Sequence, residues 1–264
     1  RPPRRGKTKS AGKTKKLAEE TAAAETRIAA RRRIKAAFFP RRLRFFEKLH
    51  IDNTMNAIVL TGGGTAGHVM PALALLPRIA NSFDSVFYIG SADGMEKDIV
   101  KGRNIPYYSV STAKFRRGFS VKNFKILPEV ARGYAQARKL LTRLKPAVVF
   151  SKGGYVAVPV VFAAKSLHIP VVTHESDLTP GLANRPIAPQ AEKGLTAFPE
   201  TAKRFPNGEY TGLPVADELF GADKAEALAR YGFSGAKPVL LVLGGSQGSK
   251  AVNAALASAL GELL

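Results

Sequence analysis

The sequence predicts an α/β fold built on a parallel sheet, and three observations predict it. Three short apolar runs each end in a glycine-rich turn, and the runs lack the polar alternation of a half-exposed strand. Apolar runs also alternate with amphipathic stretches, which implies parallel strands joined by right-handed crossovers. The first turn is Thr61-Gly62-Gly63-Gly64-Thr65-Ala66-Gly67-His68, the second Ser151-Lys152-Gly153-Gly154-Tyr155, and the third Gly244-Gly245-Ser246-Gln247-Gly248-Ser249. Ligands of such folds sit at the carboxyl ends of the strands.

In chain order, strands are expected near Asn56 to Leu60, Ser85 to Ile89, Tyr107 to Val110, Ala147 to Ser151, Pro170 to His174 and Gly194 to Ala197. The clearest helix runs from Pro128 to Leu144, where Val130, Tyr134, Ala137, Leu141 and Leu144 recur at steps of three and four. Turn-forming residues at Tyr210-Thr211-Gly212-Leu213-Pro214 suggest a domain boundary, so residues 55–214 are read as one domain and 215–264 as the start of another. After a helix at Lys224 to Tyr231, a new strand is expected at Pro238 to Leu243. One strand, one turn and the start of one helix are too little to close a core, and the second domain is expected to be truncated.

The 264 residues carry a net charge of +21, unevenly placed. Residues 1–50 hold 17 Lys and Arg against 4 Asp and Glu, a net +13. Residues 1–54 are therefore a basic tail, read in two ways. It is disordered or non-native upstream sequence ahead of Met55, or it is an arm for anionic lipid or RNA in which Phe38, Phe39, Phe45 and Phe46 accompany the charges. Outside the tail, nucleic acid is not an expected partner. The chain has no cysteine, which removes disulfides, thiolate zinc sites and thiol nucleophiles and fits a reducing compartment. No apolar stretch approaches the roughly 20 residues of a membrane-spanning helix. Neither a metal nor a cofactor is expected.

The first turn has the composition of an anion site. Gly62, Gly63, Gly64 and Gly67 allow close approach to backbone amides, and Pro71 suits the first turn of a following helix, so a phosphate or diphosphate is the expected guest. His68, beside the helix start, should be pushed toward its neutral form, able to accept a proton or to hydrogen-bond a phosphate. His174 and Glu175 are read either as a pair that fixes a loop or as substrate contacts.

Taken together, the first two turns, the third turn and His174-Glu175-Ser176-Asp177-Leu178-Thr179-Pro180-Gly181-Leu182-Ala183-Asn184 resemble the MurG family of bacterial glycosyltransferases. The resemblance runs from Met55 to Leu264. It implies a GT-B fold of two Rossmann-like domains, the first binding a lipid-linked acceptor and the second a sugar nucleotide. The activity implied is inverting transfer of GlcNAc from UDP-GlcNAc to undecaprenyl-pyrophosphoryl-MurNAc-pentapeptide, converting lipid I to lipid II in peptidoglycan synthesis. It also implies a peripheral location at the cytoplasmic face of the cell membrane.

Residue by residue, the resemblance gives His68 the role of general base, with Asp177 as its rival. Relatives tend to carry Asn where Asp177 stands, which makes a contact to substrate hydroxyls the alternative role. Substrate binding is implied for Thr65, Ala66 and Gly67, for Gly153, Gly154 and Tyr155, for His174, Glu175 and Asn184, and, on the donor side, for Ser246, Gln247 and Gly248. Three departures stand out. Ala216 occupies a position where the family usually has a donor-side arginine, Ala66 replaces a further glycine, and Pro186 and Pro189 interrupt a stretch that relatives continue as a helix.

An undecaprenyl acceptor calls for a membrane surface. Lys114-Phe115-Arg116-Arg117-Gly118-Phe119-Ser120-Val121-Lys122-Asn123-Phe124-Lys125 interleaves aromatics with cations, suited either to anionic headgroups or to a solvated face over a core. Two other functions compete with transfer. Ala216 and the missing donor region favour an inactive phosphate- or nucleotide-binding chain. A dinucleotide oxidoreductase is disfavoured, because the first turn lacks the G-x-G-x-x-G spacing and Ile89-Gly90-Ser91 supplies no acidic ribose ligand.

Overall fold

The strand Ala57–Thr61 (β1) is buried at all five positions, as a strand covered on both faces must be. Its neighbours come from all parts of the first half of the chain and beyond. They are Ser85–Ser91 (β2), Tyr107–Val110 (β3), Val148–Ser151 (β4), Val171–Glu175 (β5), Lys193–Thr196 (β6) and Gly208–Tyr210 (β7). The sheet order is β3-β2-β1-β4-β5-β6-β7 and every pairing is parallel. The computed structural model describes residues 56–113, 126–235, 237–245 and 248–263. The basic tail, the aromatic and basic segment 114–125, Ser246 and Gln247 lie outside the described residues.

Two apolar layers clamp the sheet, because successive side chains of a strand point to opposite faces. Ile58, Leu60, Val148, Phe150 and Val172 pack with Ala72 and Leu73 of Met70–Leu73 (α1), Ile79 of Leu76–Ile79 (α2) and Val100 of Glu96–Lys101 (α3). Val59, Val149 and Val171 pack on the other face with Leu127–Leu144 (α4) and Ala157–Ser166 (α5). On α4 the buried positions are Gly133, Ala137, Leu141 and Leu144. Gly133 joins the expected stripe beside the half-buried Tyr134, which packs against the same cluster, and a Cβ at Gly133 would run into the carbonyl oxygen of Ser111. The helix ends at Lys145 in the left-handed conformation, its N–H returning to Leu141 O at 2.8 Å.

Asn184–Ile187 (α6) stops after one turn and continues as a 3₁₀ segment, Ala188–Gln190, at the place where Pro186 and Pro189 remove backbone donors. Pro199–Ala202 (α7) precedes the edge strand β7. The chain divides into two compact units, one through Phe220 and one from Gly221 to Leu264.

The second unit contains Lys224–Arg230 (α8) and Lys250–Leu263 (α9). Asp223 caps α8, its carboxylate accepting the N–H groups of Ala225 and Glu226 at 2.9 and 3.0 Å. The strand expected at Pro238 to Leu243 does not form, and Val239 to Leu243 are exposed. The apolar signal is the same as in β1 or β4, but a strand requires a ladder partner, and none is present among the described residues.

Candidate functional site

The strand order reverses direction between β1 and β4, so their carboxyl ends open a crevice where neither connection crosses. The first two glycine turns leave the sheet there, side by side. Lys152 N–H donates to Thr61 O at 2.8 Å, which locks the two turns at their roots. A Cβ on Gly154 would collide with the carbonyl oxygen of Gly63, so the two backbones touch.

The first turn is held from below by a buried acid. Glu96, at the start of α3 and fully buried, accepts from Gly64 N–H at 3.3 Å, from Ser91 N–H at 3.0 Å and from Ser91 Oγ. Its carboxyl carbon stands 2.6 Å from where a Gly63 Cβ would be. Two phenols complete the support. Tyr88 OH donates to Gly62 O at 2.9 Å and Tyr107 OH donates to Ser91 O at 2.5 Å, with the two rings stacked at 5.8 Å. Burial, with the Glu96 charge second, pushes both phenols well above the ordinary tyrosine range, so both remain donors. One amide of the expected anion cradle, that of Gly64, is therefore engaged internally. The N–H groups of Thr65, Ala66 and Gly67 have no acceptor among the described residues.

His68 closes the 3₁₀ turn Ala66–His68, and its Nδ1 lies 2.9 Å from Thr65 Oγ1. Burial first, then the Lys152 charge, lower its pKa below the usual 6.5, against the opposing pull of Glu175 and Asp177. In the tautomer that carries the proton on Nδ1 and donates it to Thr65 Oγ1, Nε2 has a free lone pair, the state that a general base requires; in the other tautomer Nδ1 accepts from the Thr65 hydroxyl.

Gly153 and Gly154 adopt φ of +86° and +80°, where a side chain is strained, and the amide of Asn184 fills the space beside Gly153. Asn184 Nδ2 donates to Glu175 Oε2 at 2.9 Å, while its buried Oδ1 has no partner among the described residues. Tyr155 packs its ring 2.6 Å from the position of a Gly64 Cβ. Burial, then Glu96, raises its phenol. Beside it opens a cleft of about 450 Å³ lined in part by Ser91, Asp93, Ser111, Arg132 and Tyr155.

The loop after β5 is stapled by Glu175. Its oxygens accept from Asp177 N–H, Gly181 N–H and Asn184 Nδ2, each at 2.9 Å. Burial alone would raise its pKa, but these donors and the Lys152 charge outweigh it and hold the carboxyl below 4.5. His174 pairs with a backbone oxygen instead, its Nε2 standing 2.9 Å from Gly212 O. Its Nδ1 is buried without a partner among the described residues, and burial with the Lys152 charge lowers its pKa to about 4, so the ring is neutral. Glu175 thus fixes the loop after β5, His174 ties the end of β5 to the turn at Gly212, and Asp177, in the loop after β5, is exposed.

Two residues central to this arrangement escaped the sequence reading. Glu96 lies in a stretch for which the sequence suggested no role, and Lys152 lies inside a recognised turn whose expected contacts were its glycines and its tyrosine. In the third turn, Gly248 is described, exposed and at φ +71°, with its N–H donating to Gly245 O at 2.8 Å. Among the described residues there is no cluster of three or more His, Asp or Glu able to hold a metal.

Comparison with known proteins gives one family match. The model of the glycosyltransferase family 28 N-terminal domain matches residues 58–196. A UDP-N-acetylglucosamine–N-acetylmuramyl-(pentapeptide) pyrophosphoryl-undecaprenol N-acetylglucosamine transferase of Lachnospira eligens is 50% identical over 212 residues, covering 80% of this chain and 60% of the relative. The protein of the same name from Clostridium perfringens is 46% identical over 209 residues, covering 78% and 58%. Among solved structures, the crystal structure of Acinetobacter baumannii MurG matches at 30% identity with a TM-score of 0.49, covering 66% of this chain and 52% of that one. The chain thus spans about 60% of the length of the curated relatives it matches.

Proposed function

The chain belongs to glycosyltransferase family 28, and on that premise we propose that it is the acceptor-binding domain, residues 55–214, and the opening of the donor domain, residues 215–264, of an inverting N-acetylglucosaminyltransferase. The donor is UDP-GlcNAc, the acceptor is undecaprenyl-pyrophosphoryl-MurNAc-pentapeptide, and the product is the β-linked disaccharide on the same carrier. The names of its relatives support the substrates. The observation that carries the reading is the neutral His68 fixed by Thr65 at the mouth of the β1–β4 crevice.

In this reading His68 Nε2 takes the proton of the acceptor hydroxyl as that oxygen attacks the anomeric carbon. The bond from that carbon to the UDP oxygen breaks with its electron pair, leaving on the diphosphate, and the configuration inverts. The amides of Thr65, Ala66 and Gly67 meet the acceptor diphosphate, and the exposed Asp177 meets substrate hydroxyls. Glu175 and Asn184 act by shaping the loop after β5, and His174 acts by tying β5 to the turn at Gly212. On the donor side, Ser246, Gln247 and Gly248 contact the sugar nucleotide. The carrier places the protein at the cytoplasmic face of the membrane, with residues 114–125 against anionic headgroups. Among the described residues no helix is long and apolar enough to cross a membrane.

The test is turnover with UDP-GlcNAc and a short-chain lipid acceptor, in a chain completed with a donor domain. His68→Ala is expected to lower turnover by about 10²-fold or more, the usual size of a general-base effect. Near-normal turnover removes His68 from that role. Absence of transfer by the unsubstituted completed chain would select binding without turnover, the reading that Ala216 favours.

A further inference from the structure

Lys152 is a buried cation that the transfer reading leaves unused. It follows β4, it is only 1% exposed, and among the described residues it forms no ion pair. The acid nearest in chemistry, Glu175, has its oxygens engaged by Asp177, Gly181 and Asn184. An ammonium taken out of water without a bound counter-charge is an unfavourable arrangement, and such arrangements persist where a ligand supplies the charge.

The direction in which that charge is offered follows from one hydrogen bond. Lys152 Nζ donates to Ser176 Oγ, in the half-buried loop after β5. Because Oγ accepts from the ammonium, its own hydrogen turns away, and it has no acceptor among the described residues. A hydroxyl backed by a cation is a stronger donor than a hydroxyl alone. Lys152 is also anchored where a diphosphate is expected. A Cβ on Gly62 would stand 2.8 Å from the backbone oxygen of His68 and 3.1 Å from Lys152 Cβ, so the root of Lys152 and the backbone of His68 both border the first glycine turn.

We propose that Lys152 and Ser176 form a donor relay for a diphosphate oxygen, the ammonium polarising the hydroxyl and the hydroxyl touching the substrate. The diphosphate is the part of this proposal that rests on the transferase reading. Either a sugar nucleotide or a prenyl diphosphate presents that group. The charged and titratable groups that face the ammonium are His68, His174, Glu175 and Asp177. Burial foremost, against the pull of the two acids, lowers the Lys152 pKa to about 8, so the relay loses its cation just above neutral pH.

The experiment follows the amide resonances of Gly153, Gly154 and Ser176 in the full isotopically labelled chain, titrated with inorganic pyrophosphate, UDP or farnesyl diphosphate at pH 7 and pH 9. Residue-resolved signals separate this site from anion binding by the basic tail. At pH 7 a saturable shift with pyrophosphate is expected. Lys152→Met should weaken it about tenfold or more, the size of a lost charge-assisted hydrogen bond, and should abolish the weakening that the unsubstituted chain shows at pH 9. The Met variant also serves as reference for the ionisation of pyrophosphate itself. Ser176→Ala should weaken binding severalfold. If UDP alone moves the Ser176 amide, the relay serves the sugar nucleotide; if farnesyl diphosphate alone does so, it serves the lipid-linked acceptor. No shift with any of the three probes overturns the proposal, and so does unchanged pyrophosphate affinity in either variant. Should Lys152→Met fail to fold, Ser176→Ala decides alone. Loss of turnover in His68→Ala with pyrophosphate binding intact bears only on the transfer chemistry.

Discussion

The carboxylate of Glu96 accepts the backbone N–H of Gly64, at 3.3 Å, across 32 positions of sequence. An acid from the start of α3 therefore sets the height of the first glycine turn, and with it the position of His68 four residues further on. Removing it strands three donors, Gly64 N–H, Ser91 N–H and Ser91 Oγ. Glu96→Ala should then lower the unfolding free energy by about 2–4 kcal/mol, since each buried unsatisfied group costs about 1–3 kcal/mol and partial relaxation recovers some of it. Urea unfolding at pH 7 measures this, and a change below about 0.5 kcal/mol would mean that the turn stands without its prop.

The neutral His174 makes stability depend on pH. Its folded pKa is about 4 against 6.5 in the unfolded chain, so below pH 6.5 the unfolded state binds a proton that the folded state refuses. Stability is full above that point and falls as pH drops toward 4, by up to about 3 kcal/mol at 1.36 kcal/mol per pH unit. His68 acts in the same direction. His174→Gln should flatten the profile between pH 6.5 and 4.5, as followed by denaturant midpoints. An unchanged slope in that variant would assign the loss of stability to other groups.

Gly153→Ala tests the contact between the second turn and the loop after β5. The left-handed φ of +86° and the Asn184 amide both oppose a methyl group there. The combined loss is expected at about 2–5 kcal/mol, from about 1–2 for the backbone and about 1–3 for overpacking. Adding Asn184→Ala should recover the overpacking part and not the backbone part. A fully additive double variant would show that the two sites do not touch.

For the membrane surface, Phe115→Ser/Phe119→Ser should abolish binding to anionic liposomes and leave the melting temperature unchanged. Arg116→Ala/Arg117→Ala should weaken binding mainly at low salt, by about 1 kcal/mol per residue. The comparison uses a chain starting at Met55, so that the tail cannot bind the vesicles itself. Cosedimentation that survives the phenylalanine changes would move the membrane contact elsewhere, and loss of the fold would return the rings to the core.

Six strands were legible, the inner ones such as β1 and β4 because an apolar run buried on both faces and closed by a glycine turn needs no other code, and β3 and β6 because short apolar or aromatic stretches recur between helical ones. The seventh, Gly208–Tyr210, was not, since an edge strand of three residues holding a glutamate carries no apolar signal. The opposite error at Pro238 to Leu243 has the same root: local pattern reports willingness to pair, and pairing needs a partner. At the crevice, the place of the glycines and of His68 in the first two turns was legible from the local sequence, while their roles rest on the resemblance. Glu96 and Lys152 were not, because an acid on a short helix and a lysine in a loop look solvated until the sheet brings β2, β4 and β5 together at the crevice.

The contact between Gly63 O and the missing Cβ of Gly154 has a consequence for borrowing parts between relatives. Neither turn has room to shift by itself, so one replaced alone by a relative's version would meet the other's backbone as an obstacle. Glu96 and Asn184, which fill the hollows beside Gly63 and Gly153, travel with them for the same reason. The smallest interchangeable cassette of this fold is therefore a discontinuous one, two turns and two props drawn from four separate stretches of chain.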